Sequence, residues 1–272
     1  MCLIFVGYLV DALIQDFFIL KFNYSILREN NVFLHFKFMV FGDYLSAFFI
    51  VTVIVLIYGF YYVLAYTKVH DWIFDYFAKN TNKSVFHSVY FRSLGFVLFG
   101  VIPMGIFYIV YGAELDFLII EPEHVSKIIA WTPFLCLIAI TVAYLNVRMS
   151  QQTQYPQFKL ENWTAFHKCL TYSTWALYLI GYEFLFRGIL LFGTVEEMGL
   201  YPAIILNVVL YAFVHLHKGW KEVVGCFILG PILCVTALET NALITPICIH
   251  LSLCLANEFF SIRKERLKQV SV

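Results

Sequence analysis

The stretch FHKCLTYSTWALYLIGYEFLFRGILLF, residues 166–192, is a long apolar run with a carboxylate and a guanidinium in its second half. A helix needs about 20 mostly apolar residues to cross the hydrocarbon layer of a membrane, and this run exceeds that length. A charged side chain at the centre of such a helix costs about 2.5 to 3.5 kcal/mol. Glu183 and Arg187 must therefore face protein or water, and their spacing of four residues lets them pair on one helix face.

The whole chain has the composition of an integral membrane protein. Of its 272 residues, 61% are hydrophobic and 13% are charged, and the mean hydropathy is +0.80. The 18 basic and 18 acidic residues balance, so the net charge points neither to nucleic acid nor to an acidic partner. The seven cysteines show no CxxC spacing and lie mostly in apolar runs, a pattern typical of small core residues.

Apolar runs of membrane-spanning length recur along the chain. Besides residues 166–192, they cover 44–66, 94–112, 128–146, 201–216, 222–238 and 241–260. A further candidate at 3–20 carries Asp11 and Asp16, and it either crosses the membrane or lies along the interface. The sequence therefore predicts an all-α, polytopic transmembrane helical bundle of seven or eight spans.

Four segments follow from this division. Residues 1–43 form an N-terminal membrane-associated or first-span segment, and residues 44–162 form variable transmembrane helices. Residues 163–262 form a motif-bearing transmembrane core, and residues 263–272 a basic cytoplasmic tail.

Basic residues are concentrated in alternate loops, which is the pattern that sets orientation in a membrane. The basic loops and the tail contain Lys68, Lys79, Lys83, Arg92, Arg148, Lys159, Lys168, Lys218, Lys221, Arg263, Lys264, Arg266 and Lys268. The intervening loops are mainly acidic, and one of them holds the pair Glu196 and Glu197. This alternation predicts a cytoplasmic C-terminus in a plasma or inner membrane, although the basic segment 21–43 fits the orientation poorly.

Polar side chains occur at helical spacing on two further predicted spans. Asn207, Tyr211 and His215 follow one another every four residues and form one narrow polar stripe. His250 and Asn257, seven residues apart, differ by only about 20° around their helix. We therefore expect three helices to bring polar groups to one buried surface. The alternative for Glu183 and Arg187 is a structural ion pair that only holds helices in register.

These residues occur in the order of three known motifs, EExxxR, FxxxH and HxxxN/D. Glu183 and Arg187 match the first, Tyr211 and His215 the second, and His250 begins the third. Over about residues 165–262 the chain resembles the CAAX prenyl endopeptidase and bacteriocin-processing (CPBP) family of intramembrane proteases, which includes abortive-infection-like members.

Two positions depart from the family pattern, so the first and third motifs are degenerate. Tyr182 stands where the family has its first Glu, the residue usually assigned as the water-activating base, and Cys254 stands where Asn or Asp is expected. Neighbours on a helix are about 100° apart, so Glu183 does not share a face with Tyr182. Either the helix turns Glu183 towards the histidines, or Glu183 only orients other groups and the site is inactive.

The resemblance implies hydrolysis of a peptide bond, which needs a base for water and donors for the developing oxyanion. The expected catalytic residues are Glu183 as the base, His215 as the residue that holds the water, and His250 as an oxyanion donor. The expected supporting residues are Arg187, Tyr182, Tyr211 and Asn257.

No cofactor is required by the sequence, because no HExxH or comparable ligand pair occurs on one helix. A divalent metal such as zinc is the mechanistic alternative, with Glu183, His215 and His250 as three ligands and an open fourth position. The expected partners are membrane lipid and a peptide or protein substrate, lipidated substrates included, and not nucleic acid.

Two other functions are compatible with parts of the sequence. A catalytically inactive family member acting as a membrane scaffold would carry substitutions such as Tyr182 and Cys254. A small-solute transporter would use intramembrane carboxylates as proton relays, but it predicts repeat-related broken helices, and the sequence shows no repeat. Intramembrane hydrolase is the function that the motifs favour.

Overall fold

The computed structural model describes residues 47–78, 81–111, 120–149 and 154–270, without the side chains of 107–111 and 270. The N-terminal segment 1–43 and its candidate span at 3–20 lie outside the described residues, so that prediction stays open. Every regular element within the described ranges is a helix, which confirms the all-α class.

The described ranges contain ten α-helices. Their bounds are α1 Ala47–Tyr66, α2 Lys68–Phe77, α3 Lys83–Phe96, α4 Ile102–Tyr111, α5 Val125–Met149, α6 Ala165–Glu183, α7 Phe192–Met198, α8 Leu200–Phe213, α9 Trp220–Thr240 and α10 Ile244–Val270. Two π-helical segments, Val97–Val101 and Phe184–Leu191, join α3 to α4 and α6 to α7. Short 3₁₀ turns, Pro122–His124 and Leu216–Lys218, precede α5 and α9.

Six helical runs of the described chain are long and apolar enough to cross a membrane, and the protein is an integral membrane protein. They are Ala47–Tyr66, Lys83–Ile106, Pro122–Met149, Ala165–Met198, Trp220–Thr240 and Ile244–Gln269. The predicted run 201–216 forms α8, a helix of only 14 residues, which is shorter than a full crossing requires. The prediction of seven or eight spans is therefore not confirmed.

The motif-bearing helix is the central one of the bundle. Most of the Ala165–Met198 run is buried inside the protein, whereas most of the Pro122–Met149 run is not. Helix α6 packs against α3, α8 packs against α9, and α10 packs along α5. The outer helices expose large apolar side chains such as Phe48 and Ile129, which suits contact with lipid.

A close approach of two glycines fixes the position of α6. A Cβ added at Gly181 would lie 3.1 Å from the Gly100 nitrogen and 3.3 Å from the backbone oxygen of Phe96. Small residues allow helix backbones to meet at such distances in membranes. Because Tyr182 and Glu183 follow directly, this contact sets the depth and rotation of the first motif.

Several charged residues predicted in loops lie in helices. Arg92 lies within α3 and is fully buried. Its guanidinium donates to the Thr171 oxygens and to Gln157 Oε1, and these hydrogen bonds offset the cost of burying the charge. Glu196 and Glu197 belong to α7, where Glu197 accepts a hydrogen bond from the Ala47 nitrogen. The predicted basic tail, residues 263–272, continues α10 as far as Val270.

Candidate active site

The three motifs meet at one cavity of about 260 Å³, called here the motif cavity. Its walls come from α5, α6, α8, α9, α10 and the stretch before α6. The predicted site residues that line it are Tyr182, Tyr211, His215, His250 and Asn257, and Cys254 of the third motif lines it as well. Side chains from α6, α8, α10 and the turn after α8 thus meet at this cavity, whereas Glu183 is not among the residues that line it.

Tyr182, at the position of the missing first Glu, faces both histidines. Its ring centroid lies 6.0 Å from that of His250 and 6.2 Å from that of His215. The side chain is 1% exposed, and its hydroxyl has no hydrogen-bond partner within the described residues. Tyr182 therefore offers a free hydroxyl where the family pattern has a carboxylate.

Glu183 lies behind His250 and not on the wall of the motif cavity. Its side chain is fully buried, and its Oε1 lies 2.5 Å from His250 Nδ1. Arg187 Nη1 donates to the same oxygen at 3.2 Å. The structure thus brings Glu183 to one of the two histidines, while Tyr182 takes the face that points into the cavity.

The contact with Glu183 fixes the ring of His250. An ionised carboxylate accepts the Nδ1–H, so in the neutral ring Nε2 is the nitrogen with a lone pair. The hydroxyl of Tyr211 lies 3.5 Å from Nε2, at the long limit of a hydrogen bond. His250 therefore directs a proton-accepting nitrogen towards the motif cavity.

His215 is oriented in the same sense by the backbone. The predicted stripe on one helix is wrong at its last member, because α8 ends at Phe213 and His215 lies in the following turn. Its Nδ1 donates to the backbone oxygen of Tyr211 at 2.9 Å, which leaves Nε2 as the acceptor. Two proton-accepting imidazoles thus line one cavity.

The helix around the first motif is not regular. Residues Phe184–Leu191 form a π-helix, and Asn207 Nδ2 donates to the Phe186 oxygen at 2.6 Å. Wide π-turns loosen the i→i−4 ladder and are frequent at functional sites. Asn207, predicted as part of the polar stripe, therefore stabilises the irregular backbone next to Glu183.

Asn257 lines the motif cavity but does not hydrogen-bond to His250 within the described residues. Its Oδ1 accepts from Asn146 Nδ2 at 3.3 Å, and its Nδ2 donates to the Leu253 oxygen. Asn257 therefore connects α10 to α5, and the geometry gives it no direct link to the imidazole.

The predicted zinc ligands do not fit a common ion in this geometry. Glu183 Oε1 is held by His250 Nδ1, and Glu183 lies outside the cavity that His215 lines. Within the described residues, the trio whose ligand atoms lie within 4.8 Å of one another is Glu121, Glu123 and His124, at the start of α5.

Tyr155 is a site residue that the sequence analysis missed. It lies in the non-helical stretch before α6, where no periodicity marks a functional position. Its hydroxyl donates to Cys254 Sγ at 4.0 Å, and both residues line the motif cavity. Burial raises the pKa of the Tyr155 hydroxyl well above its ordinary value, so this group stays protonated and remains a donor.

Comparison with known proteins gives one match. Residues 166–255 match the family described as type II CAAX prenyl endopeptidase Rce1-like, and this segment holds all three motifs. No curated protein and no solved structure matches the chain. The match is consistent with the CPBP resemblance drawn from the motifs, and members of this family are typically peptide hydrolases.

Proposed function

We propose that this protein is an intramembrane endopeptidase that hydrolyses a peptide bond in the motif cavity. The observation that carries the proposal is the presence on one cavity of a membrane bundle of two imidazoles, each held at Nδ1 by an acceptor oxygen. The family suggests CAAX protease activity, and the cavity supplies groups for the chemistry.

In this proposal Glu183 activates water through His250 and does not contact it. The carboxylate accepts the Nδ1–H, holds the ring and stabilises the imidazolium that forms when Nε2 takes a proton from water. His215 Nε2 is the second acceptor and holds the water. Tyr182 stands at the position of the family's first Glu but has a different role: its hydroxyl, which has no partner within the described residues, donates to the carbonyl oxygen.

The substrate that this arrangement suits is a peptide with a carboxy-terminal CAAX sequence whose cysteine is prenylated, as the family description indicates. Lys218 and Lys221 line the motif cavity and supply positive charge for a terminal carboxylate. The substrate's lipid would remain in the membrane, which makes lipid a second partner.

We also propose that the motif cavity opens to the cytoplasm. Lys218 and Lys221 lie at the end of the bundle where the basic C-terminal turns of α10 contact α5, through Lys264 and the Val147 oxygen. Cytoplasmic ends of membrane helices are enriched in Lys and Arg. In vesicles of known orientation, a cysteine introduced at Lys221 should react with an impermeant maleimide from the cytoplasmic side, and one introduced at Glu123 from the opposite side. Labelling of the Lys221 position from the other side would contradict this orientation.

The hydrolase proposal is tested with the full chain in proteoliposomes and a fluorogenic prenylated CAAX peptide. We expect the wild-type protein to cleave the peptide, and His215→Ala and His250→Ala to slow cleavage by about 10²-fold or more. His217→Ala is the matched control, because His217 packs against the ring of Tyr66 and is not among the residues that line the motif cavity.

The inactive-scaffold alternative predicts a different result. A wild-type protein that cleaves no prenylated or unmodified CAAX peptide, while remaining folded in thermal unfolding, would support the scaffold. Equal cleavage by the wild-type protein and both histidine variants would also overturn the proposal.

A further inference from the structure

We infer that Cys254 is the nucleophile of the motif cavity, so that cleavage proceeds through a thioester on its Sγ. The inference rests on the proposed hydrolase function and deepens it, because it specifies the group that first attacks the substrate. In the family pattern this position holds Asn or Asp, which cannot form such an intermediate as readily as a thiol.

The first support is the position of the thiol relative to His250. Cys254 lies one helical turn after His250 on α10, which places the two side chains on the same helix face, and both line the motif cavity. On the other side of the ring, Glu183 Oε1 lies 2.5 Å from Nδ1. A nucleophile beside a base that a third group orients is the general signature of covalent catalysis.

The second support is that the thiol is built into the cavity and not merely buried. Cys254 is 7% exposed, lines the motif cavity and accepts a hydrogen bond from the Tyr155 hydroxyl, a donor that would stabilise a thiolate. Cys226, on α9, is the other described cysteine on this cavity, and it belongs to a different helix from His250. The two thiols therefore share the cavity but not the helix that carries His250.

The third support is the unused hydroxyl of Tyr182. This hydroxyl is buried, has no hydrogen-bond partner within the described residues and belongs to a side chain on the cavity wall. A carbonyl attacked by Cys254 would develop negative charge on its oxygen. Tyr182 can donate to that oxygen without first breaking another hydrogen bond.

The steps balance without any group beyond water. His250 Nε2 takes the Cys254 proton, the sulfur forms a bond to the carbonyl carbon, and the π electrons of the carbonyl move to its oxygen. Collapse breaks the C–N bond, and the leaving amine takes the proton from His250, which gives a thioester. Water then gives a proton to His250 and attacks the thioester carbon, after which the C–S bond breaks and the thiolate regains the proton.

Substitution separates the thiol route from direct attack by water. Cys254→Asn restores the family's residue, and Cys254→Ala removes the thiol; we expect each to slow cleavage of the prenylated CAAX peptide by about 10²-fold or more in proteoliposomes. Cys248→Ala is the matched control on the same helix, because Cys248 is not among the residues that line the motif cavity, and it should retain cleavage within about twofold. Acid quenching during turnover, followed by mass spectrometry, should show the acyl group on the peptide that contains Cys254.

A second measurement needs no substitution at Cys254. In the wild-type protein a small neutral haloacetamide should alkylate Cys254 at least about tenfold faster than Cys226, and His250→Ala should remove this difference. This readout stays informative when a Cys254 variant unfolds.

The outcomes are distinguishable. Wild-type rates of cleavage by Cys254→Asn or Cys254→Ala would overturn the thiol nucleophile and leave the hydrolase intact. Alkylation of Cys254 at the same rate with and without His250 would also overturn it. Absence of cleavage by the wild-type protein would remove the hydrolase, and the thioester route with it.

Discussion

At the scale of single residues, the neighbours Tyr182 and Glu183 divide between two sides of His250. Tyr182 occupies the cavity side, and Glu183 pairs with Nδ1 from behind, together with Arg187. The sequence left two alternatives for Glu183, a carboxylate turned to the histidines or a residue that orients other groups. In the structure Glu183 does both, because it contacts His250 and holds its ring. A carboxylate that orients a base is compatible with an active site.

Glu183→Gln should abolish cleavage and also lower the thermal stability. Arg187 is fully buried, so loss of the carboxylate leaves an uncompensated cation, which typically costs about 3–5 kcal/mol. In the double variant Glu183→Gln/Arg187→Met no unpaired charge remains, so stability should largely return while cleavage stays absent. Thermal unfolding and peptide cleavage on the same preparations check this, and recovery of both together would reduce Glu183 to a structural residue.

At the scale of elements, the site depends on where α6 stops being a regular helix. The π-helical segment Phe184–Leu191 begins directly after Glu183, and Asn207 from α8 binds its Phe186 oxygen. On the other side, Gly181 lies against the Gly100 backbone. A close glycine contact before the motif and a supported π-turn after it hold Tyr182 and Glu183 in their opposite directions.

Gly181→Ala should destabilise the protein and slow cleavage, because a Cβ there would meet the backbone of Gly100 and Phe96 at 3.1–3.3 Å. Backbone atoms cannot move aside as a flexible side chain can, so the helices must separate by a few tenths of an ångström; overpacking typically costs about 1–3 kcal/mol. Gly105→Ala is the control, since nothing lies within 4 Å of its added Cβ. Thermal unfolding of both variants decides the matter, and equal melting temperatures would contradict the contact.

At the scale of the whole molecule, a second buried polar network connects helices that are distant in sequence. Arg92 of α3 donates to Thr171 of α6 and to Gln157, and Thr171 donates to Glu258 of α10 at 2.8 Å. The guanidinium also stacks 4.2 Å above the ring of Trp175. Because the motif helices α6 and α10 both belong to this network, it holds the two sides of the motif cavity at a fixed separation.

Arg92→Met should therefore destabilise the fold far more than a comparable change at the surface. Glu258 is fully buried and would lose its compensating cation, at a cost of about 3–5 kcal/mol. Lys127→Met is the control, because its pair with Glu239 is partly exposed and such pairs contribute about 0–1 kcal/mol. Thermal unfolding of the two variants should separate them clearly, and similar shifts would show that the Arg92 network carries little stability.

The sequence by itself determined the helical membrane class, and its spacing pointed to Tyr211, His215 and His250, which line the motif cavity. These features follow from local pattern, because apolar length defines a span and charges within hydrocarbon are costly. The predicted ends of the membrane spans were wrong where the apolar pattern is weak. Helix α8 is too short for a full crossing, and Arg92, predicted in a loop, is buried within a helix.

The tertiary structure alone decided which side of His250 each neighbour takes. A period of 3.6 residues does not predict a π-helix after Glu183, and no local signal places Tyr155 beside Cys254. Both depend on contacts between segments far apart in the chain, such as Gly100 with Gly181 and Asn207 with Phe186. The local sequence therefore indicates which residue types form the site. The directions of their side chains depend on the packing of helices that are distant in the sequence.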